Sequence, residues 1–176
     1  MPFSIIKPKI AEAPCIPEDK ILERMKALMK LTDQDGLEHG FSVKDSELKE
    51  CTGTSCSVKL DTRNVTMDFH THPSDIEERL RGFSPGDMII AIRDQIPKFC
   101  IGYRLPDGKH QVKCTTETPK FFVPDWLNNV EIVDILSMNA NHLKGTSEYE
   151  RAVQRFREAA DRFEGPFRPC TQTLLE

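Results

Sequence analysis

"VTMDFHTHPSD", residues 65–75, reads as a strand that ends in two histidines and a proline. Val65, Met67 and Phe69 alternate with Thr66, Asp68, His70 and His72. Strand side chains repeat every second residue, so His70 and His72 share a face. Two imidazoles placed that way can point at one ion. Pro73 has no N–H to give to a ladder, so the strand stops there and its rim stays open. That arrangement suits zinc. A catalytic zinc takes three protein ligands from His, Asp or Glu and keeps one position for water, so a third ligand must come from elsewhere in the chain.

Downstream, "FSPGDMIIAIRDQ" (83–95) opens a helix at Ser84, with Pro85 at the first helical position and Met88, Ile89, Ile90 and Ile92 as an apolar run. Asp87 falls in the first turn of that helix, just after the loop that leaves the histidine strand, and is the best candidate for the third ligand. Taken purely as structure, Ser84 and Asp87 form an S-x-x-D capping box.

Upstream, Glu38 stands in "GLEHGFSV" (36–43), a β-leaning run in which a charge is unusual unless it faces solvent or a site. Gly40 permits close backbone approach there. A hydrolytic zinc needs a base for its water, and Glu38 on a neighbouring strand is the candidate.

The rest of the chain supplies the frame. "PEDKILERMKALMKL" (17–31) sets Ile21, Met25, Leu28 and Met29, with Leu31 at its margin, on one helical face. "GLEHGFSVK" and "CSVKLD" are short strands separated by a polar segment. "PKFCIGYRL" and "KHQVKCTTE" flank "PDG", a hairpin in which Pro presets φ and Gly supplies a positive one. The tail holds two helical stretches, "VPDWLNNVEIVDILSMNANHLK" and "TSEYERAVQRFREAADRF". The second carries Tyr149, Val153, Phe156, Ala160 and Phe163 on one stripe, more naturally core than a docking face. With 176 residues and no internal repeat, the expectation is a single domain over 1–176, its core at about 18–120 and C-terminal helices at about 125–164.

Bulk properties exclude some classes of partner. A formal charge of −4 argues against a phosphate-tracking surface for nucleic acid or anionic lipid. No window approaches the roughly 20 apolar residues of a spanning helix, and the first residues lack a signal-peptide pattern, which predicts a cytoplasmic protein without membrane attachment. The six cysteines would then be thiols. Cys51 and Cys56 in "CTGTSC" lack a second pair at finger spacing and read as an ordinary strand-turn-strand.

Taken together, Glu38 on an early strand, "HTHP" at 70–73 and "SPGD" at 84–87 resemble the signature of the JAMM metalloproteases, also called MPN-plus or JAB. The resemblance covers roughly residues 18 to 116. It implies an α/β (α+β) domain with a curved, mostly antiparallel sheet flanked by helices, related to the cytidine-deaminase arrangement. It implies Zn2+ held by His70, His72 and Asp87, with Glu38 as general acid/base and Ser84 helping to stabilise the oxyanion. The activity it implies is hydrolysis of a peptide or isopeptide bond in a protein or peptide substrate, often next to the C-terminus of a ubiquitin-like modifier. The chain departs from the family in one spacing: eleven residues separate His72 from Ser84 where the usual pattern has seven. A four-residue insertion accounts for it, since the usual count would land on Leu80 and Phe83, which cannot serve. Asp75, Glu77 and Glu78 in that longer loop are alternative ligands.

Two other readings compete. "DFHTHPSD" also resembles the start of PHP phosphoesterases and amidohydrolases, but those barrels need several later strand-helix units with more ligands, and only His110 and His142 follow. Many MPN domains have lost their ligands and serve as interaction modules, whereas here all five motif residues are present.

Overall fold

The computed structural model describes residues 15–53, 64–73, 81–84, 87–88, 90–91, 94–116, 145–167 and 169–174, without the side chains of 159, 160 and 162–167. Helix α1 (Asp19–Asp35) turns Met25, Leu28, Met29 and Thr32 inward. It runs past the expected end at residue 31 because nothing in "TDQD" breaks it before Gly36, whose N–H bonds Thr32 O at 2.8 Å. Leu31, at the margin of the apolar face, is 39% exposed.

Among the described residues, six strands follow the order β2-β1-β3-β4-β5-β6. They are β1 (His39–Lys44), β2 (Glu47–Thr52), β3 (Val65–Thr71), β4 (Lys98–Arg104), β5 (His110–Cys114) and β6 (Cys170–Leu174). Of these strands, only β3 and β4 pair in parallel. The expected mixed fold with a mostly antiparallel sheet is therefore what the chain adopts. β1 and β2 form a hairpin through Asp45 and Ser46, both at positive φ (51° and 64°), the type I′ geometry that matches strand twist. The expected β4–β5 hairpin turns at Pro106–Gly108, where Gly108 takes a φ of 87°.

The sheet buries a different core on each face. On one, α1 covers Phe41, Met67, Phe69, Cys100, Val112, Cys114 and Leu174. On the other, Phe99, Ile101 and Tyr103 of β4 meet Phe83, Met88 and Ala91 of the segment after Ser84, together with Phe156 of helix α2 (Ser147–Phe167). The expected α2 stripe is thus used for packing as far as it is described: Tyr149, Val153 and Phe156 are buried, while the side chains of Ala160 and Phe163 lie outside the described residues. So do the expected strand "CSVKLD" and the first tail helix.

Two expectations need correction. The segment between the first two β-leaning runs is not merely polar connection, because residues 47–52 form edge strand β2. Among the described residues the thiols that followed from a cytoplasmic placement are not found: Cys15 bonds Cys170, Cys100 bonds Cys114, and Cys51 is also disulfide-bonded. Strand register brings the second of these pairs together. Cys100 and Cys114 are direct cross-strand partners with Cα atoms 4.1 Å apart, closer than the roughly 4.4–6.8 Å usual for bridged pairs. No helix among the described residues is long and apolar enough to cross a membrane.

Candidate metal centre

β3 buries Met67 and Phe69 against the α1 layer and sends Asp68 and His70 to the opposite face. The ladder runs one residue past the strand, with His72 N–H donating to Gly102 O at 2.7 Å, and stops at Pro73. His70 and His72 therefore project from the same face at the C-terminal end of a central strand, with Phe99 and the His70 ring in a T-shaped contact at 5.6 Å.

The segment after Ser84 brings the carboxylate. Asp87 N–H donates to Ser84 Oγ at 3.1 Å, Ser84 N–H donates to Asp87 Oδ2 at 2.9 Å, and Met88 N–H bonds Ser84 O at 3.0 Å. This is a reciprocal capping box. The same cap aims Asp87 at the histidines: Oδ1 lies 2.9 Å from His70 Nε2 and Oδ2 lies 3.1 Å from His72 Nε2. The two Nε2 atoms are 3.1 Å apart. The capping and ligand readings of S-x-x-D are accordingly not alternatives, since the carboxylate that caps the helix also faces both imidazoles.

Two imidazole nitrogens 3.1 Å apart, and a carboxylate whose Oδ1 and Oδ2 lie 2.9 and 3.1 Å from one nitrogen each, form a group that could hold a metal ion. Ligands about 2.0 Å from a tetrahedral ion lie about 3.3 Å from one another, so a small outward shift would complete the fit. Asp75, Glu77 and Glu78 lie outside the described residues.

Electrostatics agree with a site built for a cation. Burial opposes charging His70, but the charge and hydrogen bond of Asp87 outweigh it, with smaller help from Glu38 and Asp68, and the imidazole is pushed up to about 9. Burial would raise the Asp87 carboxyl, yet His70 and then His72 hold it far below the usual range. A cluster that binds one proton this firmly offers the same lone pairs to a metal.

Glu38 sits one residue before β1 rather than inside it. Gly40 pairs with His70, so extending that register places Glu38 across from His72 on the ligand face. The side chain is half-buried, and its charge reaches His70. The close approach depends on Gly40: a Cβ there would stand 2.2 Å from Phe69 O and 3.0 Å from the His70 Cα. Ser84 is half-buried at the mouth of the cluster, and its Oγ accepts from Asp87 N–H, which leaves its own proton to donate.

Two residues of the site were not singled out in the sequence. Asp68 shares the ligand face, and burial first, then the Asp87 charge, push its carboxyl up to about 6 against the opposing pull of His70. Strand alternation placed it there, and only burial marks it as unusual. Thr71, between the two histidines, faces the other way and is fully buried. Compared with known proteins, the chain matches no family model, no curated protein and no solved structure.

Proposed function

We propose that the chain is a zinc-dependent peptidase of the JAMM type, hydrolysing a peptide or isopeptide bond, with the C-terminal tail of a ubiquitin-like protein as the substrate class. The observation that carries this reading is the convergence of His70 Nε2, His72 Nε2 and the Asp87 carboxylate within 3.1 Å, with Glu38 on the same face of the adjoining chain. Two nitrogens and one carboxylate oxygen form the donor set of hydrolytic zinc sites. Zinc held there would supply Lewis acidity and an activated water near neutral pH.

The chain's own groups would carry the rest. The Glu38 carboxylate accepts a proton from the attacking water and delivers it to the departing amine nitrogen, so the amide C–N bond breaks with the proton balance closed. The Ser84 hydroxyl, oriented by Asp87 N–H, donates to the oxygen on which negative charge develops. Asp87, fixed by its helix cap, keeps the two imidazoles convergent.

Metal analysis of purified protein, with incubation against ubiquitin-like fusions in the presence and absence of a chelator, tests this reading. About one zinc per chain is expected, with cleavage that the chelator stops and Glu38→Ala abolishes while metal is retained. Protein without metal, whose thermal stability under chelator is the same in His70→Ala, would overturn it.

A further inference from the structure

The hydroxyl of Thr71 lies behind the centre, and it joins three elements. Its Oγ1 is 2.5 Å from Thr32 Oγ1 on α1 and accepts the His39 backbone N–H at 2.9 Å. That N–H belongs to the peptide unit that follows Glu38, and the carbonyl of the same unit accepts Gly53 N–H at 2.7 Å. The peptide plane is therefore clamped from both sides. His39 adds a further anchor, with Nε2 2.7 Å from Asp35 Oδ2 and Nδ1 3.2 Å from Thr52 Oγ1.

At this row of an antiparallel pair a main-chain carbonyl ordinarily takes the partner's N–H. Here a side chain takes it, and that side chain belongs to the residue between the two metal-facing histidines. A buried threonine with satisfied bonds is often only a piece of core. The difference at Thr71 is that its bond spans from the ligand strand to the backbone of the proposed base.

We infer that Thr71 is a positioning residue: its hydroxyl fixes the Glu38 peptide relative to His70 and His72, and so sets where the Glu38 carboxylate stands over the centre. The inference rests on the peptidase reading given above. A displacement on the order of 1 Å at a reacting group costs about 100-fold in rate.

The test compares wild type, Thr71→Val, Thr71→Ser, Thr32→Val and Glu38→Gln, each loaded with Co2+, by the visible spectrum at neutral pH and by cleavage of a fluorogenic C-terminal amide of ubiquitin. All should bind about one cobalt per chain. Thr71→Val should shift the spectrum in the direction Glu38→Gln does and lower kcat about 10- to 100-fold with KM little changed. Thr71→Ser, which keeps the hydroxyl, should match wild type. Thr32→Val, which loosens only the orientation of that hydroxyl, should fall between, and it carries the test if Thr71→Val does not fold. A Thr71→Val protein, or in its place a Thr32→Val protein, with the wild-type spectrum overturns the inference and leaves the peptidase reading standing. Wild type that binds no cobalt overturns both. If wild type binds cobalt but spares the ubiquitin amide, the spectra alone decide.

Discussion

Asp87 Oδ1 lies 2.9 Å from His70 Nε2, although 16 residues of chain separate the two. Without metal this contact is an ion pair, and its pH dependence follows from the two partners. The His70 pKa is raised to about 9, so its contribution is fully present below the ordinary histidine value of about 6.5 and is lost as pH rises through about 9. The Asp87 pKa is lowered, so its contribution is present above about 4 and fades as pH falls. Chelated protein should therefore melt highest between about pH 4 and 6.5 and lose stability steadily toward pH 9. Zinc competes with the His70 proton, so apparent affinity should rise about tenfold per pH unit below 9. Calorimetric titration across that range checks both slopes, and a flat affinity would remove His70 from the ligand set.

The His70–His72–Asp87 group was legible because its residues lie on or directly beside regular elements. Period-two alternation puts His70 and His72 on one face without knowledge of the fold, and the cap at Ser84 fixes Asp87 in a first helical turn. The extra residues between them did not matter, since the cap travels with its helix. Less legible were features that depend on pairing at a distance. β2 has no Asn-Gly or Asp-Gly before it, and its turn uses Asp45 and Ser46 at positive φ, so the hairpin had no conventional signal. β6 is a five-residue strand after a long helix, recognisable only once β5 offers it an edge. The Cys100–Cys114 pair follows from strand register, and the Cys15–Cys170 pair from where the fold puts the residues before α1 beside β6; composition contains neither.

Gly40 is where the sheet and the site make the same demand. Gly40→Ala puts a methyl group 2.2 Å from Phe69 O, and relief requires β1 to move off β3. The expected cost is about 2–4 kcal/mol in stability, at the upper end for overpacking because backbone rather than side chain must shift. Glu38 would move with β1, so cleavage should fall further than stability predicts. Urea unfolding together with activity at a temperature where the variant is folded separates the two losses.

Asp68 should be a net burden at neutral pH. Its folded pKa of about 6 exceeds the ordinary carboxylate value, so the penalty is absent at low pH, grows as pH rises from about 4, and is complete above 6. In chelated protein Asp68→Asn should therefore raise stability by about 1–3 kcal/mol at pH 7.5 and change little at pH 4. Equal gains at both pH values would trace the effect to packing instead of charge.

The Cys15–Cys170 bond ties the residues before α1 to the last strand across 155 residues of sequence. Chain-entropy reasoning gives a loop of that size about 5 kcal/mol, with strain and residual structure in the unfolded chain reducing what is realised. Cys15→Ser with Cys170→Ser should lower stability by about 2–5 kcal/mol. Alkylation and mass analysis without reductant should find no thiol at either position in the parent. A free thiol at both would place the parent protein in the reduced form.

Ser84 offers the sharpest separation of structure from chemistry, because the capping box and the proposed oxyanion contact use different parts of one hydroxyl. The oxygen accepts Asp87 N–H, while the proton is free to donate. Ser84→Ala removes both functions. As a cap alone it should cost about 1 kcal/mol of stability, and a slightly looser Asp87 should weaken metal binding modestly. As an oxyanion donor it should cost about 100- to 1000-fold in kcat with metal fully loaded. Ser84→Thr restores the cap and the donor in a bulkier frame, so it should recover stability almost fully and rate in part. Ser84→Asp caps well but brings an acceptor with no proton to give. Melting, metal content and kcat measured on all three variants resolve the matter. If the aspartate variant retained the rate of the threonine variant at full metal occupancy, Ser84 would be a cap and nothing more.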